Sequence, residues 1–313
     1  MVLPCRLLFS ILFPLTIFTS CGFSPMEVVE NIEENFDGVE EIYVKGGSLE
    51  VSYEGSGRSG DVFLSAYLEG RKDSGMKITY RNEGEKLWIE FRRENSSGWG
   101  NIRSKGFISL IGPENIKLEV VSSSGSISVS HVISDKIDLN INSGKIDGKY
   151  LSSNQVNVKA TSGQINLQEI NGEVNCRISS GKGNLSQIQG DVNLTASSGA
   201  FQISDVEGMV NGSLSSGSIN IKNAKTLGRL KISSGSIKAS ESGLGKNTVF
   251  SGSSGSFVIQ TTSDLNDYNF DLASSSGSLE VGDSRERKTL KIDNGSDTTI
   301  SGSISSGRIS VRN

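Results

Sequence analysis

From Val156 to Glu173 the chain reads VNVKATSGQINLQEINGE, and the next two stretches read VNCRISSGKGNLSQIQGD and VNLTASSGAFQISDVEGM. Apolar residues stand at every second place before the Ser-Gly pair: Val156, Val158, Ala160, then Val174, Cys176, Ile178, then Val192, Leu194, Ala196. The alternation resumes after it at Ile165 and Leu167, and at Phe201 and Ile203. A period of two with β-branched enrichment marks half-buried strands, and no stretch of the array keeps a helical period. Each unit is therefore strand, turn, strand, then a second turn that often carries its own glycine, as at Gly172, Gly190, Gly208 and Gly228.

Working outward, a Ser/Thr/Asn-Ser-Gly triplet ends at Gly125, Gly144, Gly163, Gly181, Gly199, Gly217, Gly235, Gly255, Gly277 and Gly307. Successive spacings are 19, 19, 18, 18, 18, 18, 20, 22 and 30 residues. A fixed period of this length is the mark of a stacked array. An antiparallel meander would pair strands within each unit; a solenoid would stack each strand on its equivalent one coil away. Stacking is favoured because Asn157, Asn175, Asn193 and Asn211 recur at one phase, and in-register asparagines can exchange hydrogen bonds where charge ladders would repel. The reading is an all-β, right-handed parallel β-solenoid of about ten 18–20-residue coils, the handedness following from the crossover rule. A lone coil cannot hold itself together, because its inward side chains do not offset the entropy of ordering it.

The ends differ from the array. Residues 1–20 carry Arg6 and an apolar run from Leu7 to Phe18, too short to span a bilayer and suited to a signal peptide. The run ends Phe18-Thr19-Ser20-Cys21-Gly22, which resembles the bacterial lipobox. That resemblance implies lipidation of Cys21, with Phe18 standing where Leu is usual, and outer-membrane sorting, on the periplasmic face or the cell surface. Residues 21–35 read as a solvated acidic spacer, seven carboxylates lying between Glu27 and Glu41 with no basic residue. Residues 36–113 read as a degenerate β-rich N-terminal portion that caps the first edge, and 114–313 as the regular solenoid. Near the far end, Asn294-Gly295 falls 18 residues after Gly277 and reads as a displaced turn, leaving a half-coil last. The run Asp283 to Lys288 reads as an insertion whose charges guard the terminal edge.

The leader, the β-rich lead and the Ser-Gly-Ser-Ile beat (Ser124 to Val129, and Ser216 to Ile221) together resemble the bacterial putative-adhesin domain family. The resemblance implies an exported β-solenoid related to auto-transporter adhesin heads, and it brings no catalytic residues with it.

The chemistry visible in the chain is sparse. Of three cysteines, Cys5 leaves with the leader, Cys21 carries lipid, and Cys176 sits at an inward strand position, so no disulfide is expected. His131 is the only histidine, which rules out histidine clusters for zinc, and it reads as a turn residue. No cofactor or metal site is expected. Carboxylates of the array, such as Asp138, Asp147, Glu169, Asp191 and Asp205, read as scattered through different phases, which disfavours paired-carboxylate hydrolysis. A net charge of -4 speaks against a nucleic-acid partner. One constellation gathers aromatic and basic residues: Trp88, Arg92, Arg93, Trp99, Arg103 and Lys105. Such a set suits glycan stacking or an anionic polymer, and equally a hairpin with outward basic residues. The expectation is a lipid-anchored, non-enzymatic adhesion or display surface of the cell envelope with a glycan or protein ligand. The alternatives are a periplasmic scaffold or envelope-stress binding partner, and a carbohydrate-active β-helix enzyme.

Overall fold

The structure is a computed structural model that describes residues 26–57, 60–71, 75–94 and 104–313. The leader over residues 1–20, Cys21, Trp99 and Arg103 lie outside the described residues.

Among the described residues fifteen strands form one continuous β-solenoid-like sheet, and the only helical element is a 3-10 turn over Leu265–Asp267. Two long extended runs, β9 (Ser126–Gln189) and β10 (Val192–Ser242), turn corners without leaving the ladder. They pair in parallel and in register, Asn193 on Asn175, Gly199 on Gly181 and Ile203 on Leu185. Within one coil Val156, Val158, Ala160, Ile165, Leu167 and Ile170 all point inward and are buried. The alternation read from the sequence thus builds one core running the length of the molecule. Backbone stacks on backbone at the glycine corner. Gly199 sits at φ 140, and a Cβ there would lie 2.0 Å from the carbonyl oxygen of Gly181, so a side chain is excluded by both contact and conformation.

The ends depart from simple sequential stacking. β2 (Glu41–Gly47) and β3 (Glu50–Gly55) form the rung next to the first regular coil, pairing in parallel with β8 (Lys117–Ser122) and β9. Outside them, also parallel, lie β6 (Lys86–Arg93) and β7 (Lys105–Gly112). β4 (Asp61–Gly70) and β5 (Met76–Glu83) then pair antiparallel on β7 and β6.

The acidic stretch expected to be a spacer is instead β1 (Glu27–Asp37), paired antiparallel with β4 from Glu27 opposite Gly70 to Asp37 opposite Asp61. Val29, Ile32 and Phe36 pack against the core, while most of the carboxylates stay at the solvent side of an edge strand. Charge on such an edge hinders pairing with another chain.

The C-terminal end holds a second departure. β15 (Thr299–Arg312) is not a trailing half-coil: it lies between β11 (Val249–Thr261) and β12 (Asn269–Val281), with Gly307 opposite both Gly255 and Gly277. The long interval before Gly307 is used by β13 (Ser284–Glu286) and β14 (Thr289–Ile292), which cover the outer edge of β12 antiparallel. Asn294 and Gly295 belong to the return loop, not to the glycine column. The Asn294 amide Nδ2 donates to the carbonyls of Leu265 and Tyr268, and that loop brings the chain back into the open slot.

Candidate functional site

Trp88 and Arg92 face outward from β6, but the Trp88 ring is already occupied on both faces. Tyr43 stacks on one at 4.1 Å with an 11° interplanar angle, and the Arg81 guanidinium lies 5.9 Å from the ring centre. Lys117 covers Tyr43 at 5.8 Å. Arg92 is held by Glu90 at 2.7 Å, Arg93 is exposed at the strand end, and Lys105 begins β7, opposite Glu69. The structure therefore brings Trp88 and Arg92 together on β6 and leaves Lys105 on β7, a strand that does not pair with β6.

A different feature emerges along the second corner of the coil. Six residues after each turn glycine, seven successive coils place a non-glycine residue in the left-handed region: His131, Tyr150, Glu169, Gln187, Asp205, Asn223 and Glu241, with φ between 51 and 57. An L-residue there costs about 1–2 kcal/mol, and only glycine, asparagine and aspartate visit it readily. The next residue in each coil points inward and is buried, as with Ile170 and Ile188. The one after that turns outward again, as with Asn171, Gln189 and Glu207. Two columns of polar side chains thus flank a floor of core residues and enclose a groove parallel to the stacking direction.

Tyr150, Glu169, Asn171, Gln187, Gln189, Asp205 and Glu207 line this groove over a volume of about 410 Å³. Its walls are cross-linked. Gln168 Nε2 donates to Gln187 Oε1 at 2.9 Å, Asn223 Nδ2 to Asp205 Oδ1 at 2.8 Å, and Asn171 Nδ2 to Ser152 Oγ at 3.3 Å. At one end the exposed His131 and Tyr150 rings stack at 4.7 Å, and Lys149 sits 4.4 Å from the Tyr150 ring centre and 3.7 Å from Glu169. The Lys149 ammonium is held above its ordinary pKa by the Tyr150 hydroxyl first, with Glu169 adding to it.

Two sequence readings change here. Glu169, Asp205 and Glu241 share one phase, so the carboxylates of the array are not all scattered, and His131 opens a column where it had read as an isolated turn residue. The signal was present as a constant offset from the glycines, hidden because the seven residues are of six different types. Cys176, by contrast, is where the alternation put it: fully buried, its thiol pushed up to about 12 by desolvation. Among the described residues no three His, Cys, Asp or Glu side chains are gathered as a metal ion would need.

These features define a class, a stacked-coil β protein whose corner carries a polar groove. The chain belongs to the Toastrack DUF4097 family, whose model matches residues 39–215 and again 172–312. This bears out the family resemblance read from the repeats. Among solved structures it is similar to a putative cell adhesion protein from Clostridium sporogenes (11% identity, 90% of this chain and 99% of that one, TM-score 0.20). It is similar also to putative adhesins from Bacteroides fragilis (14%, 90% and 97%, TM-score 0.37) and Parabacteroides merdae (16%, 77% and 96%, TM-score 0.27). No curated protein matches the sequence.

Proposed function

We propose that this protein is a non-enzymatic adhesion module of the bacterial cell envelope, held to the outer membrane by lipid on Cys21. Its coils, about ten and right-handed, display the corner groove to an extended glycan. The observation that supports this most is the run of seven left-handed non-glycine residues. The same chain installs glycine wherever the other corner needs it, so retaining side chains here at a conformational cost points to work done by the side chains themselves.

The lining fits a saccharide. Amides and carboxylates supply paired donors and acceptors for hydroxyls, and Tyr150, 40% exposed, supplies an aromatic surface at one end. Repetition of the corner at every coil lets successive sugar units each meet an outward side chain, so weak contacts add along one polymer. The test is a glycan array probed with the soluble chain beginning at residue 26. The proposal expects binding to an extended polysaccharide that is lost when Glu169, Gln187 and Asp205 are replaced by glycine and kept in Trp88→Ala. Binding lost only in Trp88→Ala would move the site to the N-terminal end, and no glycan binding at all would sink the reading.

A further inference from the structure

At the opposite end from β1, Arg285, Arg287, Arg308 and Arg312 surround Ser278 and Glu280 in an open depression of about 600 Å³. Three strands assemble it: β12, the β13 that follows it, and β15 from further along the chain. β15 places Arg308 beside Ser278 and Ser310 beside Glu280, while β13 places Arg285 on the other side of Glu280. Arg287 follows directly after β13 and lines the same depression as Ser278 and Arg308. Arg308 is thus the ladder neighbour of Ser278, and Arg287 shares the depression with both.

The four arginines are not equivalent. Glu280, with 8% of its side chain exposed, accepts from Arg285 Nε at 2.9 Å and also holds Arg312. It accepts from Ser310 Oγ at 3.0 Å as well. Burial alone would raise its pKa, but the bonds from Arg312 and Ser310 and the charges of Arg285 and Arg312 outweigh that, and the carboxyl stays below the ordinary range. Arg285 and Arg312 are thus fixed and neutralised in part. Arg287 and Arg308 form no ion pair with any described residue. With Glu286 counted, four guanidiniums against two carboxylates leave a surplus of two positive charges.

Edge protection explains the charges on β13, which covers the terminal strand, but not Arg308, which sits on an interior rung between Ser256 and Ser278 of the flanking strands. We propose that this depression is an oxyanion site for a phosphate group, bound by Arg287 and Arg308 together with the Ser278 hydroxyl. Arg285 and Arg312 are the partners that Glu280 locks in place around it. Guanidinium forks match the oxygen spacing of phosphate, and the double positive surplus matches its charge. The site is separate from the corner groove and exists only when β15 occupies its slot.

Inorganic phosphate titrated calorimetrically into the soluble chain at low ionic strength tests it, beside sedimentation with vesicles of phosphatidylglycerol and phosphatidylcholine in equal parts. Saturable binding in either arm is expected, weakened about tenfold or more in the Arg287→Gln/Arg308→Gln double variant. It should be unchanged in Arg92→Gln. Both substituted side chains are exposed and unpaired, so the double variant should melt with the parent. Vesicle binding that the double variant loses assigns the phosphate to a lipid headgroup, and phosphate binding without vesicle binding assigns it to a soluble or saccharide-borne group. No saturable binding in either arm, or equal affinity in the double variant, overturns the proposal.

Discussion

Gln187 holds φ 57 while carrying a long side chain that touches its neighbour in the preceding coil through one surface hydrogen bond. Glycine would relieve the left-handed strain at the cost of a more flexible unfolded chain, so Gln187→Gly should stabilise the protein by about 0.5–1 kcal/mol. A rise in the urea midpoint with an unchanged slope checks this. The converse holds at Gly199, where the contact with Gly181 leaves no room for Cβ. The two corners also differ in how legible they are. The glycine column announces itself because one residue type answers one steric demand. The left-handed column is occupied by His, Tyr, Glu, Gln, Asp and Asn, whose common property is a backbone angle that composition does not reveal.

Glu41 shows what joins the end rung to the first coil. It sits on β2 between two parallel neighbours, accepting from Lys117 at 3.0 Å and from the Tyr43 hydroxyl, with Lys86 at 3.4 Å. The bonds from Tyr43 and Lys117, in that order, hold its carboxyl at about 2 against an ordinary 4.5. A carboxyl depressed on folding contributes stability above its unfolded value, and that contribution fades as pH falls from 4.5 towards 2. After discounting for solvent screening, Glu41→Gln should cost about 1–2 kcal/mol at neutral pH and flatten the acid limb of the stability curve. Denaturant titrations at several pH values read both. At this scale the strands of the array were plain from alternation, whereas β1 and β15 were misplaced. Carboxylates hid the Val29, Ile32 and Phe36 face of β1, and no local pattern tells β15 which neighbours it will find, because its sequence suits any rung equally well.

As a whole the molecule behaves as a column in which each coil meets only those above and below it. Stability is then a sum of coil and interface terms, and a coil can leave if the register on either side is kept. Deleting Val174 to Asp191 removes one 18-residue unit and sets Val192 on Val156 in the pattern seen now between Val192 and Val174. That chain should fold, with β-rich circular dichroism and a modestly lower urea midpoint. Deleting half as many residues would turn core positions outward and should give an aggregate. Core and stacking direction were thus written in the period itself, while the ends, where stacking must stop, follow from edges that need covering.

On the proposed reading, side chains at the left-handed corner are kept for a ligand at the expense of stability. The most direct measurement is a calorimetric titration of the glycan selected on the array into the parent chain and into the variant with Glu169, Gln187 and Asp205 replaced by glycine. The variant should lose the glycan while unfolding at a higher urea concentration than the parent. A variant that binds as tightly as the parent would contradict it.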